Sequence, residues 1–148
     1  MNDASARALK TIHAMFARDP AAQALGIEVL TASPGEVRLA MTVRADMLNG
    51  HGTCHGGMLF ALADTAFAYA CNSHGIDMVA AGASIEFLAP VAGAERLIAV
   101  ASETLRGQRH GIYDVAVTRA GGEPVAHFRG RCARFRPVTA TTTPQAFE

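Results

Sequence analysis

The sequence predicts an α+β domain in which an antiparallel β-sheet is wrapped around one long central helix. Three observations carry this prediction. Residues 57–71, GMLFALADTAFAYAC, are apolar almost throughout, with Asp64 and Thr65 the only plainly polar side chains, and they lack β-branched enrichment. That favours a helix over a strand, and a helix apolar on every face must be surrounded by other elements. Before it, Val37, Leu39, Met41 and Val43 alternate with Glu36, Arg38, Ala40 and Thr42, the period of two of a half-buried strand. After it, β-like segments at about 78–90, 95–107, 110–119 and 124–135 succeed one another across turns at Pro90–Gly93, Gly107 and Gly121-Gly122.

The elements follow in order. The N-terminal segment, 1–20, contains a helix over 5–18, capped by Asp3 or Ser5, with Leu9, Ile12 and Phe16 on one face and Asp19-Pro20 as its stop. A short strand over 26–31 leads through the turn Ser33-Pro34-Gly35 into the alternating strand. A glycine- and histidine-rich loop precedes the central helix, placed at 57–73 and ended by Asn72, Ser73 and Gly75. Residues 1–136 form one domain, and 137–148 are expected to be a loose tail.

Composition narrows the function. The 148 residues suffice for one core and fall short of a second. Lys plus Arg and Asp plus Glu both total 13, a zero net charge that argues against bulk affinity for nucleic acid or a membrane surface. Cys54, Cys71 and Cys132 are odd in number and scattered, which points away from a disulfide framework and towards a reducing compartment. No secretory signal and no uninterrupted apolar span are read, so a cytoplasmic location is expected. One asymmetry stands out: Arg106, Arg109, Arg119, Arg129, Arg131, Arg134 and Arg136 face only Asp114 and Glu123 between Leu105 and Pro137.

The chemistry concentrates in residues 49–64, NGHGTCHGGMLFALAD. A helix starting near Gly56-Gly57 offers unpaired N–H groups and the positive end of its dipole, and glycine lets a ligand come close to that backbone. Such a terminus can hold the oxyanion of a thioester or ester going tetrahedral; the same glycines can equally make a tight loop. Asp64, a carboxylate in an apolar helix, is either tied into a structural hydrogen-bond pair or kept as a general base or nucleophile. Burial would raise its pKa, as base chemistry near neutrality requires. Gly56 and Asp64 are eight positions apart, about 12 Å along a helix axis, too far for one aspartate to span. If both act on one carbonyl they come from different copies of the chain, which predicts an obligate dimer with two shared sites. His51, Cys54 and His55 are metal-capable, but no second pair at zinc-site spacing occurs, so no metal is expected. Cys54 with a histidine base is a further arrangement the spacing permits, and Asn49 either makes a turn or holds a water or carbonyl.

These residues carry a resemblance. NGHGTCHGGMLFALADTAFAYACNSHG closely resembles the helix segment of hotdog-fold acyl-CoA thioesterases of the phenylacetic-acid-degradation (PaaI-type) family, and the likeness runs from about Ala14 to Phe135 through ALGIEV, TVRADMLNGHGTCHGG, IEFLAP, GIYDVAV and FRG. The resemblance implies a hotdog fold in which Asp64 is the catalytic carboxylate, Gly56 the backbone donor to the carbonyl, Asn49 the polar partner near the lytic water and His55 the residue flanking the oxyanion site. It also implies a dimer as the catalytic unit, assembled into a tetramer. Where some relatives carry a second hydroxyl this chain has Ala68 and Ala80, so a mechanism relying on that hydroxyl is not expected here.

Coenzyme A, as part of the substrate and not a cofactor, would give Gly57, Arg106, Arg109, Arg129 and Arg131 a role, since guanidinium groups suit phosphate; solvated strand-edge charge is the plainer account of the arginines. The expected reaction is hydrolysis of (hydroxy)phenylacetyl-CoA or a related aryl- or acyl-CoA to free CoA and a carboxylic acid. The alternatives are an acyl-thioester dehydratase or hydratase of the same fold, using His55, and a non-catalytic acyl-CoA-binding protein.

Overall fold

The computed structural model describes residues 1–136; the expected tail, 137–148, lies outside the described residues. Six strands, β1 (Glu28–Ser33), β2 (Glu36–Thr42), β3 (Met78–Phe87), β4 (Arg96–Arg106), β5 (His110–Arg119) and β6 (Pro124–Arg134), form one sheet in the order β1-β2-β4-β5-β6-β3. Every neighbouring pair is antiparallel. The sheet packs around the central helix, α3 (Gly56–Asn72), with β2 to β6 all in contact with it.

The alternating strand performs as its pattern dictates: Val37, Leu39, Met41 and Val43 are all buried. Leu59, Leu62, Ala63, Ala66, Phe67 and Ala70 of α3 fill the same core. Phe67 packs at 5.6 Å from the ring of Phe128 and 6.0 Å from that of Tyr113. The helix comes this close to β6 because residue 130 is glycine, where a Cβ would stand 2.7 Å from the Phe67 ring. The far end of α3 is tied to the sheet by Asn72, whose Oδ1 accepts from Met78 N–H and whose Nδ2 donates to the Ala68 and Met78 carbonyls. Ser73 Oγ accepts from Gly35 N–H, fixing the same end to the β1–β2 turn.

Several expectations are revised. The first helix, α1, runs Asp3–Phe16, and its cap is Asn2, whose Oδ1 accepts from Ser5 N–H at 2.8 Å. Asp19-Pro20 ends α1 and also starts a second short helix, α2 (Pro20–Ala24), because Asp19 Oδ1 accepts from Ala22 N–H and proline suits a first turn. That helix occupies the chain up to Gly26 (φ +67°), which moves β1 two residues later than expected. Helix α3 starts at Gly56, one residue earlier than expected.

The largest revision concerns how α3 is enclosed. The described residues do not cover its every face. Gly57, Phe60, Ala61, Asp64, Thr65 and Ala68, spaced three and four apart, form a stripe that stays partly or fully exposed. Strand β3, at the end of the sheet, pairs on one side only among the described residues and is exposed over most of its ten residues. Val79 and Phe87, both about half exposed, lie on it.

Candidate active site

The loop before α3 is held by Asn49. Its Oδ1 accepts from the N–H groups of His51 (2.9 Å) and Thr53 (3.2 Å), and its Nδ2 donates to Thr53 Oγ1 at 3.1 Å. Leu48 and Cys54 bridge across the loop base, while His55 N–H reaches back to the Met47 carbonyl. The sequence left a turn role and a water-holding role open for Asn49. It closes the turn, with one amide hydrogen unused among the described residues.

His55 is the N-cap of α3. Its Nδ1 accepts from Gly57 N–H at 3.0 Å, which assigns the ring proton to Nε2. Its carbonyl accepts from Met58 and Leu59 N–H. Three of the first four amides of the helix are therefore engaged, and Gly56 N–H donates to no acceptor among the described residues. Gly57, expected to contact substrate, has its N–H taken by the cap. Residue 56 also lies under the Phe87 ring: a Cβ there would approach the ring's far edge to 3.0 Å, a contact that this exposed side chain can relieve by shifting. Asn49, Thr53, Gly56, Leu59, Phe87, Leu88 and Val91 line a cleft of about 360 Å³ at this end of the helix.

Asp64 lies two turns along the open stripe. Burial raises its carboxyl above the ordinary value. Among the described residues it accepts no hydrogen bond and joins no ion pair. The contrast with other acids is informative. Asp19 accepts from Ala22 N–H and Tyr69 OH; Glu95 is paired with Arg119; Glu103 accepts from Tyr113 OH and faces His74; Asp114 is held by Arg129. A structural partner for Asp64, one of the two roles the sequence allowed, is absent from this set. Thr65, beside it, returns its hydroxyl to the Ala61 carbonyl, and Ala68 leaves the next turn without a polar group.

The expected arginines do not form one group. Arg129 sits directly opposite Asp114 in the β5–β6 register and clasps both carboxylate oxygens, at 2.9 and 2.8 Å. This bidentate bond holds the Asp114 carboxyl below its ordinary range, with Thr104 and His127 assisting. Arg131 donates to the Ala81 carbonyl at 3.3 Å. Both occupy positions on the sheet face away from α3, alternating with buried Phe128, Gly130 and Cys132. Arg106 and Arg109 lie instead at the β4–β5 turn, beside the C-terminal end of α3. Sequence reasoning missed Phe87, which covers Gly56, and counted Arg134 and Arg136 in the arginine excess without grouping them with Arg106 and Arg109, whose clefts they line. Only long-range strand pairing brings these together. Among the described residues, no three His, Cys, Asp or Glu side chains are placed to hold a metal ion, and no helix is long and apolar enough to cross a membrane.

Comparison with known proteins places this arrangement. Residues 51–126 match the family described as the Thioesterase superfamily. The chain is 45% identical over 142 residues to the acyl-coenzyme A thioesterase PaaI of Escherichia coli K12, covering 96% of this chain and 99% of that one. It is similar to the solved structure of the E. coli PaaI protein from the phenylacetic acid degradation operon, with a TM-score of 0.89 and 44% identity over 90% of this chain and 97% of that one. A hypothetical thioesterase from Streptococcus pneumoniae, solved with coenzyme A, superimposes with a TM-score of 0.71 at 26% identity, over 73% of this chain and 87% of that one.

Proposed function

Because the chain belongs to the thioesterase superfamily, as a PaaI-type member with the hotdog fold, we propose that it is an acyl-CoA thioesterase whose active site is completed across a dimer interface. The observation that carries the proposal is the half-buried Asp64, without a hydrogen-bond or ion-pair partner among the described residues, on a stripe of α3 that those residues leave open.

Gly56 and Asp64 lie on one helix about 12 Å apart along its axis, so they cannot meet at one carbonyl within a single chain. Two copies of α3 packed antiparallel along their open stripes bring Asp64 of one protomer to Gly56 of its partner. The unpaired edge of β3 supports the same pairing, since a long apolar edge favours extension of the sheet by a second copy. Each dimer then has two sites, and tetramers form from two dimers.

In each site the thioester carbonyl accepts a hydrogen bond from Gly56 N–H at the positive end of α3. Asp64 either takes a proton from a water that attacks the carbonyl carbon, or attacks that carbon itself to give an anhydride that water then opens. Both routes pass through a tetrahedral oxyanion held by Gly56, break the C–S bond, and release a carboxylic acid and the CoA thiol. His55 fixes the helix start, and Asn49 shapes the loop and offers its remaining amide hydrogen to the water. The chemistry calls for no metal or cofactor, and CoA enters only as part of the substrate. The dehydratase alternative would have to use the Nε2–H of His55, since its Nδ1 accepts from Gly57 N–H, and release of free thiol separates the two reactions.

Phenylacetyl-CoA or its ring-hydroxylated forms are the proposed substrates. The apolar cleft of Leu59, Phe87, Leu88 and Val91, and the operon of the E. coli relative, support that choice. Free thiol released from a panel of acyl-CoA esters, read with a thiol reagent, tests the reading. Phenylacetyl-CoA is expected to turn over fastest; binding of every ester without thiol release would show a carrier and not a hydrolase. Single-turnover reaction in ¹⁸O-water separates the two routes, since label in the Asp64 carboxylate requires the anhydride.

A further inference from the structure

Which arginines are already occupied indicates where a polyanionic ligand would sit. Of the seven between Leu105 and Pro137, Arg119 is paired with Glu95, Arg129 with Asp114, and Arg131 bonds a main-chain carbonyl. Arg106, Arg109, Arg134 and Arg136 join no ion pair among the described residues. Strand pairing gathers these four at one place: Arg134 N–H donates to the Arg109 carbonyl, and His110 sits opposite Ala133. They line two adjoining clefts, of about 470 and 640 Å³, that share Gln108, His110 and Arg134. Two acids are close by: Glu103 senses Arg106 but already accepts from Tyr113 OH and faces His74, and Asp77, whose main-chain carbonyl accepts from Phe135 N–H between Arg134 and Arg136, joins no ion pair among the described residues. Guanidinium groups gathered here without an ion-paired carboxylate raise a local positive potential, a setting suited to several phosphate groups on one ligand.

We propose that this cleft binds the phosphorylated adenosine end of coenzyme A, with Arg134 and Arg136 joining Arg106 and Arg109, and with Arg129 and Arg131 taking no part. The proposal rests on the thioesterase reading and adds a direction to it. Cys71, on the floor of the smaller cleft, is seven residues along α3 from Asp64, about 10 Å. A substrate with its phosphates here and its thioester at Asp64 lies along α3 of a single protomer. The partner contributes the Gly56 amide, and the protomer that holds the phosphates also supplies the carboxylate.

Calorimetric titration of the full chain with adenosine 3′,5′-bisphosphate tests the site without turnover. The double variant Arg109→Gln/Arg134→Gln is expected to bind it about tenfold more weakly or worse, as loss of charge-assisted hydrogen bonds implies, and Arg129→Gln to bind it as the parent does. The same double variant should show a raised KM and unchanged kcat for phenylacetyl-CoA, and parent-like rates on phenylacetyl-pantetheine, which lacks the nucleotide. Thermal unfolding of both variants checks that they fold. Undetectable bisphosphate binding by the parent, parent-like binding by the double variant, or a loss confined to Arg129→Gln would overturn the proposal. Bisphosphate binding that depends on Arg109 and Arg134, with no thioester cleaved, would uphold this site and sink the hydrolase reading.

Discussion

Two variants, each inactive alone, should restore activity when mixed. Asp64→Asn removes the carboxylate and keeps its shape. Gly56→Pro removes the amide hydrogen proposed to hold the oxyanion, and the fold tolerates it for three reasons. Residue 56 is the first of α3, where proline is favoured. His55 has ψ 133°, which suits a residue preceding proline. The new Cβ meets only the far edge of the exposed Phe87 ring. Loss of the base should cost about 10²–10⁴ in kcat, and loss of one oxyanion donor about 10²–10³. If each site takes Asp64 from one protomer and Gly56 from its partner, a mixed dimer carries both lesions in one site and none in the other. Equal amounts unfolded together and refolded give mixed dimers as about half the population, each with one intact site of two, so the mixture should recover about a quarter of parental kcat. The assay is thiol release from phenylacetyl-CoA, with mass spectrometry of the intact assembly to count mixed dimers. Activity no greater than the average of the two variants, in a sample shown to contain mixed dimers, would refute the shared site.

Further outcomes follow from the same structure. Burial raises the Asp64 carboxyl, so its charged form is disfavoured in the fold; stability is greatest below the ordinary value of 3.8 and is lost as pH rises through the raised value. Asp64→Asn should therefore melt at a higher temperature than the parent at neutral pH, with the gap closing as pH falls, measured by calorimetry across pH. In the parent, kcat should fall on the acid side with a midpoint above 3.8, since the base must be ionised. Arg129 lowers the Asp114 carboxyl, so that pair stabilises above 3.8 and its contribution fades as pH falls through the lowered value; Arg129→Ala should lose stability at neutral pH and much less in acid, by urea titration. Gly130→Ala forces a methyl against the fully buried Phe67 ring and should cost about 1–3 kcal/mol in the same titration.

Much of this architecture could be read from the sequence because its signals are local. Strand β2 and helix α3 declare themselves by period and by length, and β4, β5 and β6 are bounded by glycine turns. Counting outward from Gly121-Gly122 even places Asp114 opposite Arg129, so the fate of that arginine was legible to a register argument. Helix α2 is too short for periodicity, and its signal, Asp19 followed by Pro20, is identical to a stop. The open stripe of α3 was hidden for a different reason. Phe60, Ala61 and Ala68 look like core whether they face their own sheet or a second copy, because both environments are dry. The position of Asp64 was readable in sequence, but its lack of a polar partner among the described residues was not.

Strand β3 has a consequence for how the protein must be made. Its middle, Ala80–Ala83, carries no charge, no proline and no bulky side chain to discourage a neighbour, and its outer edge pairs with no other strand among the described residues. If two copies pair through this edge as proposed, a newly synthesised one that fails to meet its twin keeps an adhesive margin. Damage to this margin is then expected to surface as precipitate in the cell and not as a dissolved, idle subunit, so solubility becomes the first readout of lost self-recognition.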